Sequence, residues 1–146
     1  MLGTSTYAAA YVQAARAEIG AQIQAYRDLV GAASKASGMS LTRIDAALAA
    51  FEPAFFNNLL LALEMRFVHR LRGVEGKDGN PLNEVRMLAA SLMDNGGVLA
   101  PNSTIRYDAG KALLGIDIGD RIALNADDFE ALCAAFLAEI EKRFPA

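Results

Sequence analysis

Residues 53–71 of the 146-residue chain, "PAFFNNLLLALEMRFVHRL", form its most apolar segment. On a helix, the apolar side chains of this segment spread around nearly the whole circumference over its first turns. They are Phe55, Phe56, Leu59, Leu60, Leu61, Leu63, Phe67, Val68 and Leu71. A helix that is apolar on every side needs cover on every side, so the segment predicts a central core helix. Pro53 is tolerated in a first helical turn, so a new helix or a kink is expected there.

Two further helices are predicted before the core helix. The first, at about 5–30, carries a narrow seam in steps of four and three, made of Val12, Arg16, Ile19, Ile23, Tyr26 and Val30. Such a seam packs along a neighbouring helix, either in this chain or in a second copy. Arg16 would set the register or the choice of partner, or extend into solvent. A short second helix is expected to begin at Ser40, whose side chain can cap it.

The C-terminal half predicts two more helices with an interruption between them. Asn80 and Pro81 are typical of the N-cap and first residue of a helix, and Asn125 with Asp128 predicts the start of the last one. Between these helices the pattern changes from steps of three and four to alternation. The alternating residues flank Gly119-Asp120, a dipeptide typical of two-residue hairpins, and they are Ile116, Ile118, Ile122 and Leu124. The sequence therefore predicts a mainly α fold: a single domain over 1–146, built as a four- or five-helix bundle with a small antiparallel β-hairpin inserted before the C-terminal helix.

Composition limits the classes of function. The net charge of −3 and the pI of about 5.1 argue against a general nucleic-acid binder, which normally presents a basic surface. Cys133 is the single cysteine and cannot form an internal disulfide, so a reducing, cytoplasmic location is expected. We find no signal-peptide pattern and no run of 18 apolar residues, so we expect no membrane partner.

The motifs of several reaction classes are absent from the sequence. One histidine cannot supply a His-rich zinc site, and the sequence contains neither an ExxH pair nor a glycine-rich phosphate loop. The turn "KDGN" resembles part of a calcium-binding loop, but Val74, Gly76 and Val85 then occupy ligand positions. The sequence thus predicts no metal and no cofactor, and whether the protein is an enzyme stays open.

The corner at 69–86 holds the candidate site residues. Arg70, Arg72 and Lys77 lie close to the predicted N-terminus of the fourth helix, whose free N–H groups attract anions. A small carboxylate or phosphate would suit this group of donors. The predicted ligand-binding set is completed by Asn83, Glu84 and Arg86. His69 and Glu64 are the candidates for proton transfer.

A structural interpretation competes with the site at this corner, and we favour it. Basic residues at the end of one helix and acidic residues at the start of the next stabilise the helix dipoles without any ligand. Glu64 and Asn57 are seven residues apart, so they share one line of the core helix and are expected to tie helices together. A buried Cys133 is expected to be an unreactive thiol.

Two function hypotheses follow from the sequence. The first is a helical interaction or structural protein that forms a homodimer, motivated by the long first helix with its thin seam. The alternative is a protein or enzyme that binds a small anionic ligand at the 69–86 corner. A nucleic-acid role would need a local basic patch on an acidic chain.

Overall fold

The computed structural model describes residues 3–35 and 41–146, which contain five helices. Helix α1 spans Ala9–Ser34, α2 Leu41–Arg66, α3 Arg72–Glu75, α4 Pro81–Asp94 and α5 Ala126–Arg143. This confirms the predicted helical bundle. Ser40, the predicted cap of the second helix, lies outside the described residues.

Helix α2 runs through Pro53 without ending, so the predicted second and third helices are one. Proline in a helix interior removes a hydrogen bond and crowds the preceding turn. Aromatic packing joins the two halves across the proline: Phe51 stacks on Phe55 with ring centroids 5.3 Å apart, and both stack on Tyr26 of α1. We infer that this packing offsets the local cost of Pro53.

The C-terminal half of α2 lies at the centre of the bundle, as predicted, and contacts α1, α4 and α5. Phe56, Leu60 and Leu63 are completely buried. The stretch Arg43–Arg66 is also long and apolar enough to cross a membrane by length and composition alone, with a mean hydropathy of 1.4. A core helix passes the same test, and 22% of the tested window is buried inside this fold.

The seam of α1 is buried within this chain. Val12, Ile19, Ile23 and Tyr26 are buried, and α1 contacts α2 and α5. Arg16 reaches out of the seam to an ion pair with Glu141 of α5. The seam is therefore not available for a second copy.

The predicted β-hairpin is wrong: the described residues contain isolated bridges but no β-strand. A turn does form, but one residue earlier than the Gly119-Asp120 dipeptide predicts. The Asp120 N–H donates to the Asp117 carbonyl over 3.0 Å, so Ile118 and Gly119 are the central residues, and Gly119 has a positive φ of 94°. However, the segment after the turn pairs with residues 97–99, which follow α4. The Leu99 N–H donates to the Asp120 carbonyl, and the Ile122 N–H donates to the Gly97 carbonyl.

Two side chains bond three further backbone groups of this segment. The hydroxyl of Tyr107 donates to the Ile116 carbonyl. On the other arm, the Asn57 side chain of α2 donates to the Ile122 carbonyl over 3.0 Å and accepts from the Leu124 N–H over 3.1 Å. The Asn57 amide thus replaces a neighbouring strand, which explains a polar residue on an apolar helix.

Replacement of Asn57 by alanine should destabilise the protein by about 2–4 kcal/mol, because two backbone groups of the loop lose their partner. The free energy of unfolding from urea titration measures this loss. Asn58→Ala is the matched control, since Asn58 is the next residue of the same helix and its side chain is exposed. An equal effect of the two substitutions would contradict the proposed role of Asn57.

Candidate functional site

The corner between α2 and α4 is a compact turn held by helix-end contacts. After Arg66 the chain leaves the helix and forms the one-turn α3, which ends at Gly76 with a φ of 84°. Asn80 then caps α4, as predicted, by accepting hydrogen bonds from the N–H groups of Leu82 and Asn83. The turn therefore brings the end of α2 and the start of α4 together.

A buried carboxylate, Glu75, lies at the centre of this corner. Arg86 of α4 approaches it with both Nε and Nη2, at 3.1 and 2.8 Å. Arg72 Nη1 lies 3.0 Å from one carboxylate oxygen and Arg70 Nη2 lies 3.2 Å from the other. The Glu75 side chain is fully buried, so these guanidinium groups replace its water.

Arg70 is the most enclosed cation of the corner, with no side-chain exposure. It donates to the carbonyls of Phe67 and Leu82, each over 3.0 Å, and its guanidinium lies 5.2 Å from the centre of the Phe136 ring. Glu64 Oε1 is 2.8 Å from Arg70 Nη2, but the two groups are not aligned as a hydrogen bond, so the pair acts through charge. We name Glu64, Arg70, Arg72, Glu75 and Arg86 the corner cluster.

The electrostatics of the cluster keep its acid ionised. Burial alone raises the pKa of Glu75, but the hydrogen bond from Arg86 and the charges of Arg70, Arg86 and Arg72 outweigh it, so the pKa lies below its usual value. Burial likewise lowers the pKa of Arg86, but the hydrogen bond to Glu75 and the charges of Glu75, Glu64 and Tyr7 together outweigh it, so the pKa is raised. Three cations face two carboxylates, which leaves one net positive charge at the corner.

The structure brings together most of the predicted ligand-binding residues, but it turns them towards one another. Arg70, Arg72 and Arg86 all contact Glu75. Asn83 accepts from Arg72 and donates to the Gly76 and Asp78 carbonyls. An internal carboxylate thus occupies the position that an anionic ligand was expected to take. Ligand binding by these residues stays a prediction.

The other predicted site residues lie apart from the cluster or serve other contacts. Glu84 is buried and accepts hydrogen bonds from the N–H groups of Leu113 and Leu114 at 2.9 and 3.0 Å. It therefore holds the long loop between α4 and α5, residues 95–125, against α4. His69 and Lys77 are exposed. Of the two proton-transfer candidates, Glu64 is in the cluster and His69 is not.

Sequence reasoning missed the central position of Glu75. A four-residue helix has no hydrophobic periodicity, so no pattern indicates which of its side chains is buried. The one available signal is the spacing of Arg72 and Glu75, which places opposite charges on one face of a turn. Arg143 of α5 adds a contact that no local pattern could indicate, since it donates to the Glu75 carbonyl over 2.9 Å.

Two openings on the surface are built differently from the cluster. The first, which we name the Met groove, lies between α2 and α4 and has a volume of about 280 Å³. It is lined by Leu61, Glu64, Met65, Val68, Arg86, Ala89, Ala90, Met93 and Asp94. The second, the loop cavity, has a volume of about 570 Å³ and is lined by Asp78, Gly79, Arg106, Tyr107, Asp108 and Lys111.

Among the described residues, no group of three or more His, Cys, Asp or Glu side chains could hold a metal ion. Burial raises the pKa of the Cys133 thiol to about 11, which disfavours the reactive thiolate. Comparison of the chain with models of protein families, with curated proteins and with solved structures found no match in any of the three. A proposal for the function of this chain therefore rests on the geometry of its two surface openings.

Replacement of Glu75 by glutamine should destabilise the fold by roughly 3–5 kcal/mol, because it leaves the three guanidinium groups of the cluster with one carboxylate, Glu64, in place of two. Urea unfolding at neutral pH measures the effect. Glu130→Gln is the control, since Glu130 also pairs with an arginine, Arg27, but in solvent. We expect the control to change stability little. Two equally small losses would refute the buried ion cluster.

The contribution of Glu75 to the free energy of unfolding should decrease as the pH falls into the acid range. Its pKa is lowered in the folded protein, so its stabilisation is fully present above the unfolded pKa of about 4.3 and is lost as pH falls through the folded value. The difference in unfolding free energy between wild type and Glu75→Gln should therefore be constant near neutral pH and shrink in acid. A difference that grows in acid would show a raised pKa instead.

Proposed function

We propose that the protein is an interaction module that forms a homodimer through the Met groove. The observation that carries the proposal is the exposure of methionines on both walls of one apolar groove. Met65 of α2 is 70% exposed and Met93 of α4 is 68% exposed, with Val68 exposed beside them. Flexible methionine side chains adapt to a partner surface, and contiguous exposed apolar side chains mark interaction sites.

The shape of the groove favours protein side chains over a small molecule. Its volume of about 280 Å³ is below the range of roughly 300–1,000 Å³ that is usual for ligand pockets. Ala89 and Ala90 also line it. Small residues at a contact allow the backbone of a second helix to approach closely, so methionine ridges can enter the groove.

The charges of α4 favour a second copy of this chain as the occupant. Arg86 and Asp94 both line the groove, and each lies four residues from Ala90. If two α4 helices cross antiparallel about a two-fold axis at Ala90, Arg86 of each copy faces the partner's Asp94, each about 6 Å along the axis from the centre. Arg86 keeps its bonds to Glu75 through Nε and Nη2, and Nη1, which makes no hydrogen bond within the described residues, is the atom left to pair with Asp94. Asp94 makes no ion pair within the described residues, and the corner cluster has positive charge in excess near Arg86.

This proposal keeps the expected homodimer but moves its interface. The seam of α1, which motivated a dimer in the sequence, is covered by α2 and α5. The Met groove lies on the α2–α4 face instead. The self-complementary spacing about Ala90 distinguishes a like partner from an unrelated one, because an isologous interface must match its own charges.

Analytical ultracentrifugation of the wild-type protein at micromolar concentration should give the mass of a dimer. Met93→Lys should weaken dimerisation by about 2 kcal/mol or more, because it places a charge in the centre of the apolar contact. Asp94→Arg should also weaken it, since like charges would then face each other at both ends.

Leu29→Lys is the matched control, because Leu29 is a helical apolar residue of α1 that is 52% exposed and lies outside the groove. It should leave the mass of the dimer unchanged. A wild-type monomer at all concentrations would overturn the proposal. A dimer that Leu29→Lys disrupts as strongly as Met93→Lys would overturn the assignment of the groove.

A further inference from the structure

We propose that the loop cavity binds a small molecule that carries an anionic group together with neighbouring hydroxyls, the chemistry of a sugar phosphate. The cavity volume of about 570 Å³ falls within the usual range of about 300–1,000 Å³ for ligand pockets. Its lining contains cations and carboxylates and shares no residue with the Met groove. The proposal is therefore independent of dimerisation.

Backbone contacts join the two loops that form the cavity. The Arg106 N–H donates to the Lys77 carbonyl over 2.7 Å, so the loop before α4 lies directly against the long loop after it. A Cβ added at Gly79 would lie 3.4 Å from the Arg106 carbonyl oxygen, so this wall is backbone on both sides. Gly79 thus allows the two loops to pack backbone against backbone at one edge of the cavity.

Asp108 and Tyr107 hold the cavity-lining part of the loop after α4 in place. One Asp108 oxygen accepts the Gly110 N–H over 2.9 Å, and the Asp108 carbonyl accepts the Lys111 N–H over 3.0 Å. These bonds fix the turn that carries Lys111. The Tyr107 hydroxyl donates to the Ile116 carbonyl, and burial raises the pKa of Tyr107 to about 12. Tyr107 therefore serves as a fixed neutral wall and not as an acid at neutral pH.

Arg106 and Lys111 supply the anion-binding groups. Both are exposed, and neither side chain makes an ion pair or a hydrogen bond with another side chain in the part of the chain that the structure describes. This contrasts with Arg70, Arg72 and Arg86, which Glu75 occupies. Arg106 and Lys111 are therefore open to a phosphate or carboxylate group.

The two carboxylates of the cavity select for hydroxyls beside the anion. Asp78 accepts a hydrogen bond from Asn80, which lowers its pKa together with the charges of Arg143 and Arg106, so Asp78 is ionised at neutral pH. A bare phosphate would be repelled by Asp78 and Asp108. Hydroxyl groups donate hydrogen bonds to carboxylates. In a molecule with hydroxyls next to its phosphate, the hydroxyls therefore bind Asp78 and Asp108 while the phosphate binds Arg106 and Lys111.

Isothermal titration calorimetry with glucose 6-phosphate, ribose 5-phosphate and glycerol 3-phosphate tests the proposal. Inorganic phosphate and glucose are the comparison ligands, because each carries one of the two chemical groups alone. At least one sugar or polyol phosphate should bind more tightly than inorganic phosphate, and glucose alone should give no binding. Arg106→Gln and Lys111→Gln should each weaken binding roughly tenfold, as expected for one lost charge-assisted hydrogen bond.

Lys142→Gln is the matched control, because it removes the same charge from an exposed position at the end of α5. It should leave the affinity unchanged. Circular dichroism checks that each variant is folded. Arg106 and Lys111 are both exposed, so the two substitutions test the site independently. The proposal is overturned if none of the three phosphates binds, if inorganic phosphate binds as tightly as they do, or if Arg106→Gln and Lys111→Gln bind like wild type.

Discussion

The buried carboxylate of Glu75 is the constraint on which the arrangement of the helices depends. An ionised acid with no solvent exposure needs compensating charge from several directions. Here Arg70 follows α2, Arg72 lies in α3 and Arg86 lies in α4. The Glu75 carbonyl also accepts from an arginine of α5, so one residue links the corner to the last helix. Helix α4 cannot slide along α2 without separating these charges.

The same constraint decides which surfaces are open to partners. The guanidinium groups at the corner are held by Glu75 and Glu64, and the polar groups of Asn83 and Glu84 are held by backbone. The ion pairs of the corner therefore act as a clamp: they fix α2, α3 and α4 relative to one another and so position the surfaces beside them. It sets the separation of α2 and α4, and hence the width of the Met groove. It also fixes the loop before α4, which forms one wall of the loop cavity.

The sequence predicts the parts of this fold that depend on local signals. The core position of α2, the caps at Asn80 and Asn125 and the apolar face of α5 are readable because helix periodicity and capping are local. The prediction of the hairpin was wrong because strand pairing depends on contacts that are distant in sequence. Its turn at 117–120 is local and forms, but the partners of the arms, residues 97–99 and the Asn57 side chain, are distant in sequence. At the corner, helix geometry places the arginines around the end of one helix and the start of the next, but it leaves open whether their side chains converge. Their convergence and the burial of Glu75 both depend on tertiary packing.

A double-mutant cycle between Glu75 and Arg86 tests the account most directly. The unfolding free energies of wild type, Glu75→Gln, Arg86→Gln and the double variant give the coupling energy of the pair without the separate cost of each change. A bidentate pair between a buried carboxylate and α4 predicts a coupling of roughly 2–3 kcal/mol, the upper part of the range for contacting residues. A coupling below about 0.5 kcal/mol, the level of independent positions, would contradict the clamp.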